Sequence, residues 1–241
     1  SARETYISHL LSTINSNFAG LKVVVDCANG AASFVAPEVL KRAGAEVIAI
    51  SASPNGLNIN DNCGSTHLTN LITTVKAEKA DIGIAHDGDA DRVLAVDHDG
   101  NVIDGDFILG ILAGHTDLPT KTVVGTVMTN LGLIRALESQ GISFVATPVG
   151  DRYVLEEMMA QGHTLGGEQS GHIIRIADDS DRRSSLVSIT KSGAAVADQI
   201  IAQIAEHSAR MYDAIPTKDL EKFSNVVALV SAQLESEVVA S

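Results

Sequence analysis

Asp87, Asp89 and Asp91 alternate with Gly88 and Ala90, and Arg92 follows directly. Small residues between the acids let the backbone turn so that the three carboxylates can converge. Carboxylates brought that close repel by about 4 kcal/mol per pair at ~4 Å and an effective dielectric of ~20. A chain that gathers them usually holds a cation among them, the alternative being a solvated acidic turn. Hard oxygen donors, with no Cys or ligand-spaced His nearby, select Mg²⁺ over Zn²⁺.

Two other motifs begin in a similar way. An EF-hand loop starts Asp-x-Asp-x-Asp but needs Gly at its sixth position and Glu at its twelfth, where this chain has Arg92 and His98. A strand followed by Asp-x-Asp also opens the haloacid-dehalogenase-like phosphotransferases. There Asp87 would be a nucleophile with Asp89 beside it, but that motif places a hydroxyl residue or Val where Asp91 stands.

A second group of polar residues lies at Leu165-Gly166-Gly167-Glu168-Gln169-Ser170-Gly171-His172. Glycines around Glu168 and Ser170 remove side-chain bulk, so a ligand can approach while a carboxylate and a hydroxyl remain to bind a polyol such as a sugar. Upstream, Pro148-Val149-Gly150-Asp151-Arg152-Tyr153 leads into a helix with Asp151 as the expected N-cap, and Arg152 is a candidate for reaching a phosphate. The turn Cys27-Ala28-Asn29-Gly30-Ala31-Ala32 has neither the Gly-x-Gly-x-x-Gly spacing nor the Lys of a phosphate-binding loop, which favours simple turn geometry over a phosphate cradle.

The elements that must hold these groups follow from periodicity. Helices are expected over 3–17, 33–43, 67–79, 106–114, 130–139 and 151–161, with strands at 21–26, 46–50, 82–85, 93–96, 121–127 and 143–147. Asp99-Gly100 has hairpin chemistry. The 16 residues from Ser51 to Thr66 form a long loop rich in Asn and Gly, and such a length is uncommon without a task. The fold class is α/β: two consecutive domains with mixed, partly parallel sheets covered by helices. The expected division is 1–102, 103–216, and a linker at 217–241. In such sheets, sites form on loops at the carboxyl ends of strands, where the acidic loop lies.

Composition limits the function classes. A formal net charge of −13 argues against a nucleic-acid binder, which needs clustered Lys and Arg. No apolar run approaches the ~18 residues of a membrane span, and no signal-peptide segment is visible at the start. Two cysteines, Cys27 and Cys63, outside ligand spacing suit a reducing cytoplasm, although pairing between them stays open. With no Trp, the cores must be built from Val, Ile, Leu and Ala.

The acidic loop Asp87-Gly88-Asp89-Ala90-Asp91-Arg92 together with Gly167-Glu168-Gln169-Ser170-Gly171-His172 resembles the α-D-phosphohexomutase superfamily, whose members set four domains around one cleft. The segments Pro54–Asn60, Cys63–Thr66 and Val149–Glu156 are most similar to its bacterial hexosamine-phosphate branch. The likeness runs from about residue 3 to 174 and corresponds to the second and third domains.

That resemblance implies a Mg²⁺-dependent isomerisation of glucosamine 6-phosphate to glucosamine 1-phosphate, on the route to UDP-N-acetylglucosamine, through a phosphoserine and a bisphosphorylated sugar. It implies that Asp87, Asp89 and Asp91 hold the metal, that Arg92 lies beside the phosphoserine, and that Glu168 and Ser170 grip sugar hydroxyls. It also implies a phosphorylated hexosamine as ligand and the superfamily's first and fourth domains as partners.

The departures matter equally. The phosphoserine loop and the fourth domain's phosphate-gripping loop have no counterpart here, so the chain alone is expected to be inactive. A stand-alone module that binds phosphosugar or metal without turnover is the alternative. Ser53 lies in a segment that matches the second domain, not the phosphoserine loop. Position 90 is more often Gly in that branch; Ala is tolerated there unless its φ is positive. Beyond Ile174 the likeness fades into a charged, Ser-rich stretch, with a further helix expected at 194–212.

Overall fold

The computed structural model describes residues 1–14 and 16–176. The expectations for 177–190, 194–212 and 217–241 lie outside these residues.

The chain opens with α1 (Ala2–Ser12), capped by Ser1 and tied to the first domain through an ion pair between Glu4 and Arg42. It ends at Ser12, short of the expected residue 17, and buries only Ile7. Tyr6 is exposed.

Strands β1 (Lys22–Asp26), β2 (Glu46–Ile50), β3 (Ile82–His86), β4 (Val93–Asp97) and β5 (Val102–Ile103) form one sheet in the order β2-β1-β3-β4-β5. The first three run parallel, and β4 and β5 add antiparallel edges through the turn at Asp99-Gly100. Alternation along β1 decides which layer each residue joins. Val24 packs with Leu71 and Val75 of α3 (Thr69–Glu78) on one face. Val25 packs with Ala32, Ala36 and Leu40 on the other, against a 3-10 turn (Ala31–Phe34) and α2 (Ala36–Arg42).

The second sheet repeats the plan on a smaller scale. Strands β6 (Thr122–Thr126), β7 (Ser143–Thr147), β8 (Leu165–Gly167) and β9 (Ile173–Arg175) have the order β7-β6-β8-β9, with β9 alone antiparallel. Val123 faces α4 (Gly105–His115) and α5 (Leu131–Ser139), while Val124 faces Val154 and Met158 of α6 (Asp151–Gln161). The Gly-rich stretch at 165–174 is thus a hairpin of two strands around a tight turn. The sequence does not show this, because Gly lowers strand propensity and β8 spans only three residues.

At α6 the expected cap is corrected. Gly150, with φ +132°, takes the N-cap position and Asp151 is the first helical residue, with no capping hydrogen bond. An Asp in the first turn still meets the favourable end of the helix dipole, so the local composition cannot tell the two positions apart. Among the described residues no helix is long and apolar enough to cross a membrane.

Candidate functional site

Both sheets end their parallel strands toward polar loops. In the first, the acidic loop follows β3. Oxygens of Asp87, Asp89 and Asp91 all lie within 4.8 Å of one another, with Asp87 buried and the other two exposed.

Asp87 is fixed by its neighbour. Its Oδ1 accepts the Arg92 backbone N–H at 3.1 Å and its Oδ2 accepts the Arg92 Nε–H at 2.7 Å. Burial pushes the Asp87 carboxyl upward, but these two hydrogen bonds outweigh it, and the net shift is down. Asp91 goes the other way. Desolvation raises its pKa, and so do its contact with Asp87 and the charge on Asp89. Opposite shifts in neighbouring acids are the signature of crowded negative charge. The donor set therefore fits a hard divalent cation: three carboxylates, one buried and two exposed, converging from a short loop, with like-charge repulsion to relieve.

The loop is held from behind. Gly88 accepts a backbone hydrogen bond from Ala31 at 2.8 Å, so the turn after β1 spends that N–H on the acidic loop. This bears out a turn in place of a phosphate cradle. Ile59 of the long loop packs where a side chain at Gly88 would begin, 2.7 Å from that point. The Asn-rich loop orders itself through its own side chains: Asn58 accepts from Asn55 N–H, Asn55 accepts from Leu57 N–H, and Asn60 donates its backbone N–H to Ala28. Its length thus serves to back the acidic turn.

Ala90 has φ +64°, the left-handed region. The condition under which Ala would not be tolerated freely is met, and the residue carries strain of roughly 1 kcal/mol.

In the second domain, Glu168 and Ser170 line a cavity of about 490 Å³ with Asp104, Thr126, Met128, Val149 and Gln169. Glu168 Oε1 accepts the Gly150 N–H at 2.9 Å, which fixes its carboxylate above the start of α6. Arg152 stands apart from this cavity: its guanidinium pairs with Glu156 at 2.7 Å and its side chain is 81% exposed.

The two domains meet at this point. His172 lies between Asp91 Oδ2 at 3.6 Å and Asp151 Oδ2 at 3.8 Å. Reading by residue type assigned His172 no role, since its importance comes from what surrounds it. The Asp104-Gly105-Asp106 segment, just past the expected division between 102 and 103, is likewise given its part by its surroundings. Its signal was an Asp directly ahead of an apolar helix, the mark of an N-cap, and Asp104 does accept the Phe107 N–H at 3.1 Å.

Comparison with known proteins agrees with this geometry. Residues 4–100 match the phosphoglucomutase/phosphomannomutase α/β/α domain II, and residues 104–218 match α/β/α domain III of the same family. The chain belongs to the phosphoglucomutase/phosphomannomutase family. Among its relatives is the phosphoglucosamine mutase of Streptomyces avermitilis, 47% identical over 243 residues, covering 97% of this chain and 54% of that protein. A solved structure of a phosphoglucomutase/phosphomannomutase family protein from Burkholderia thailandensis superposes with a TM-score of 0.62 at 26% identity, over 73% of this chain and 39% of that one. An N-acetylphosphoglucosamine mutase from Aspergillus fumigatus, solved in complex with GlcNAc-6P and magnesium, shares the fold with a TM-score of 0.58 at 18% identity, over 87% of this chain and 51% of that one. The chain spans about half the length of the curated relatives it matches. Membership in this family displaces the haloacid-dehalogenase reading.

Proposed function

We propose that this chain forms the metal-binding and sugar-binding centre of a phosphosugar mutase that interconverts glucosamine 6-phosphate and glucosamine 1-phosphate. The observation that supports it most is a single hydrogen bond, from Val93 N–H to Gly171 C=O at 3.1 Å. It joins the strand leaving the acidic loop to the turn that carries Glu168 and Ser170.

Asp87, Asp89 and Asp91 would hold Mg²⁺. When bound there, the metal supplies positive charge against the negative charge of a phosphoryl group. Arg92 uses its Nε on Asp87 and Asp91, and its terminal nitrogens have no hydrogen bond among the described residues. In this reading they meet the oxygens of the transferred phosphoryl group, carried by a serine outside the two matched domains. Glu168 accepts and Ser170 donates to sugar hydroxyls. Arg152 takes the distal phosphate by leaving Glu156, an exchange of one exposed ion pair for another. Such pairs are worth at most about 1 kcal/mol, so the switch is cheap. Both cysteines are free buried thiols, as in a reducing cytoplasm, where sugar phosphates are made.

The test is a titration of the chain with glucosamine 6-phosphate in the presence and absence of Mg²⁺, followed by amide chemical shifts. Shifts at Glu168–Gly171 that saturate are expected, and Mg²⁺ alone should move Gly88–Asp91. Shifts that stay flat at both loops to millimolar ligand would refute the assignment.

A further inference from the structure

Gly105 lies so close to the sugar-facing turn that a Cβ there would overlap the Glu168 carbonyl oxygen, and its N–H donates to Gln169 C=O at 3.0 Å. On one side of it, Asp104 caps α4 through Oδ1 while its Oδ2 accepts from the Gln169 side-chain amide at 3.2 Å. On the other side Asp106 is 1% exposed, and its Oδ2 accepts the backbone N–H of Asn130 at 2.8 Å. Asn130 in turn caps α5 by accepting from Gly132 N–H at 2.7 Å and anchors the loop that carries Thr126 and Met128. The other Asp106 oxygen, Oδ1, is buried with no hydrogen-bond partner among the described residues. A carboxylate held dry in this way costs more than an acid in the first turn of a helix returns.

We infer that Asp104-Gly105-Asp106 is the positioning device of the candidate sugar pocket, with Asp106 holding the 126–130 wall against the 168–171 wall. The two walls come from different strands, β6 and β8, whose pairing fixes their spacing only at Val124 and Gly166. Past that point the chain diverges into two loops, and the segment at the start of α4 is where both are fastened. The geometric part of this inference stands on these hydrogen bonds. The sugar as occupant rests on the function proposed above, and the test separates the two.

Deuterium exchange of individual amides would be measured in the unliganded chain for the wild type, Asp106→Ala, Asp106→Asn and Asp104→Ala. Asp106→Ala should raise exchange at Asn130 and its neighbours at least tenfold while the core amides of β6 stay protected. Asp106→Asn keeps an acceptor for Asn130 N–H and should restore protection. Asp104→Ala, which leaves the Asp106 bond intact, should loosen Glu168–Gly171 and not Asn130. Unchanged exchange at 126–130 in Asp106→Ala, or an equal rise throughout the domain, overturns the inference.

In a second arm, glucosamine 6-phosphate affinity should fall about tenfold in Asp106→Ala and recover in Asp106→Asn. An unchanged affinity overturns the positioning role for the pocket. A wild-type chain that does not bind the sugar defeats the occupant alone, because the exchange arm still decides the fastening.

Discussion

Val93 and Gly171 are joined at the seam between the two domains: the N–H of one meets the carbonyl of the other at 3.1 Å, and Gly171 has φ +93°. A Cβ on Gly171 would overlap the Val93 carbonyl oxygen. The acidic loop and the Glu168–Gly171 turn are therefore fixed to each other through backbone, with the His172–Asp91 side-chain contact at 3.6 Å beside it. The distance between the two candidate subsites is set by the fold and is insensitive to most substitutions around them.

Gly171→Ala should break this seam. Both the overlap and the positive φ oppose it, and overpacking of this kind costs about 1–3 kcal/mol. The urea midpoint should drop accordingly, and the amide of Val93 should lose protection from exchange. A variant with wild-type stability and a protected Val93 would show that the seam is looser than described.

Ala90→Gly should act in the opposite direction. Relief of the left-handed φ of +64° gains more than the added freedom of Gly in the unfolded chain loses, leaving a net stabilisation of up to about 1 kcal/mol. Equilibrium unfolding in urea measures it, and a lower midpoint than wild type would contradict the strain.

Removing a ligand should separate the roles of the acids. Asp89→Asn is expected to weaken Mg²⁺ binding by at least tenfold in calorimetry with little change in stability, since Asp89 is exposed. Asp87→Asn should weaken binding too, and it should also destabilise the loop, because it removes a buried charge from Arg92. Equal stability of the two variants would argue against the Arg92 clamp.

Acid should stabilise the second domain through Asp106. Desolvation, with the charge on Asp104, raises its pKa to about 6 against the Asn130 hydrogen bond, while the unfolded value is about 3.9. Between these values the folded state binds more protons than the unfolded one, so stability falls as pH rises from about 4 to about 6. The difference is on the order of 2–3 kcal/mol, fully felt above pH ~6. Asp106→Asn cannot ionise and should lack this slope when unfolding free energy is measured across the range. A slope shared by the variant would place the titration elsewhere.

The amino-acid sequence by itself determined the order and type of nearly every element, because alternation in β1 and helical spacing in α3 and α5 depend on neighbours a few residues apart. It also singled out Asp87, Asp89, Asp91, Glu168 and Ser170, whose chemistry is carried by residue type. Tertiary structure alone decided what Asp106, His172 and the long loop do. His172 matters because Asp91 and Asp151 come to it from elements 81 and 21 residues away in the chain. Asp106 matters because Asn130, 24 residues on, offers it an N–H in a place water does not reach. Local pattern reports what a segment buries; which distant backbone groups meet there depends on how the sheets close, and no short stretch of sequence records that.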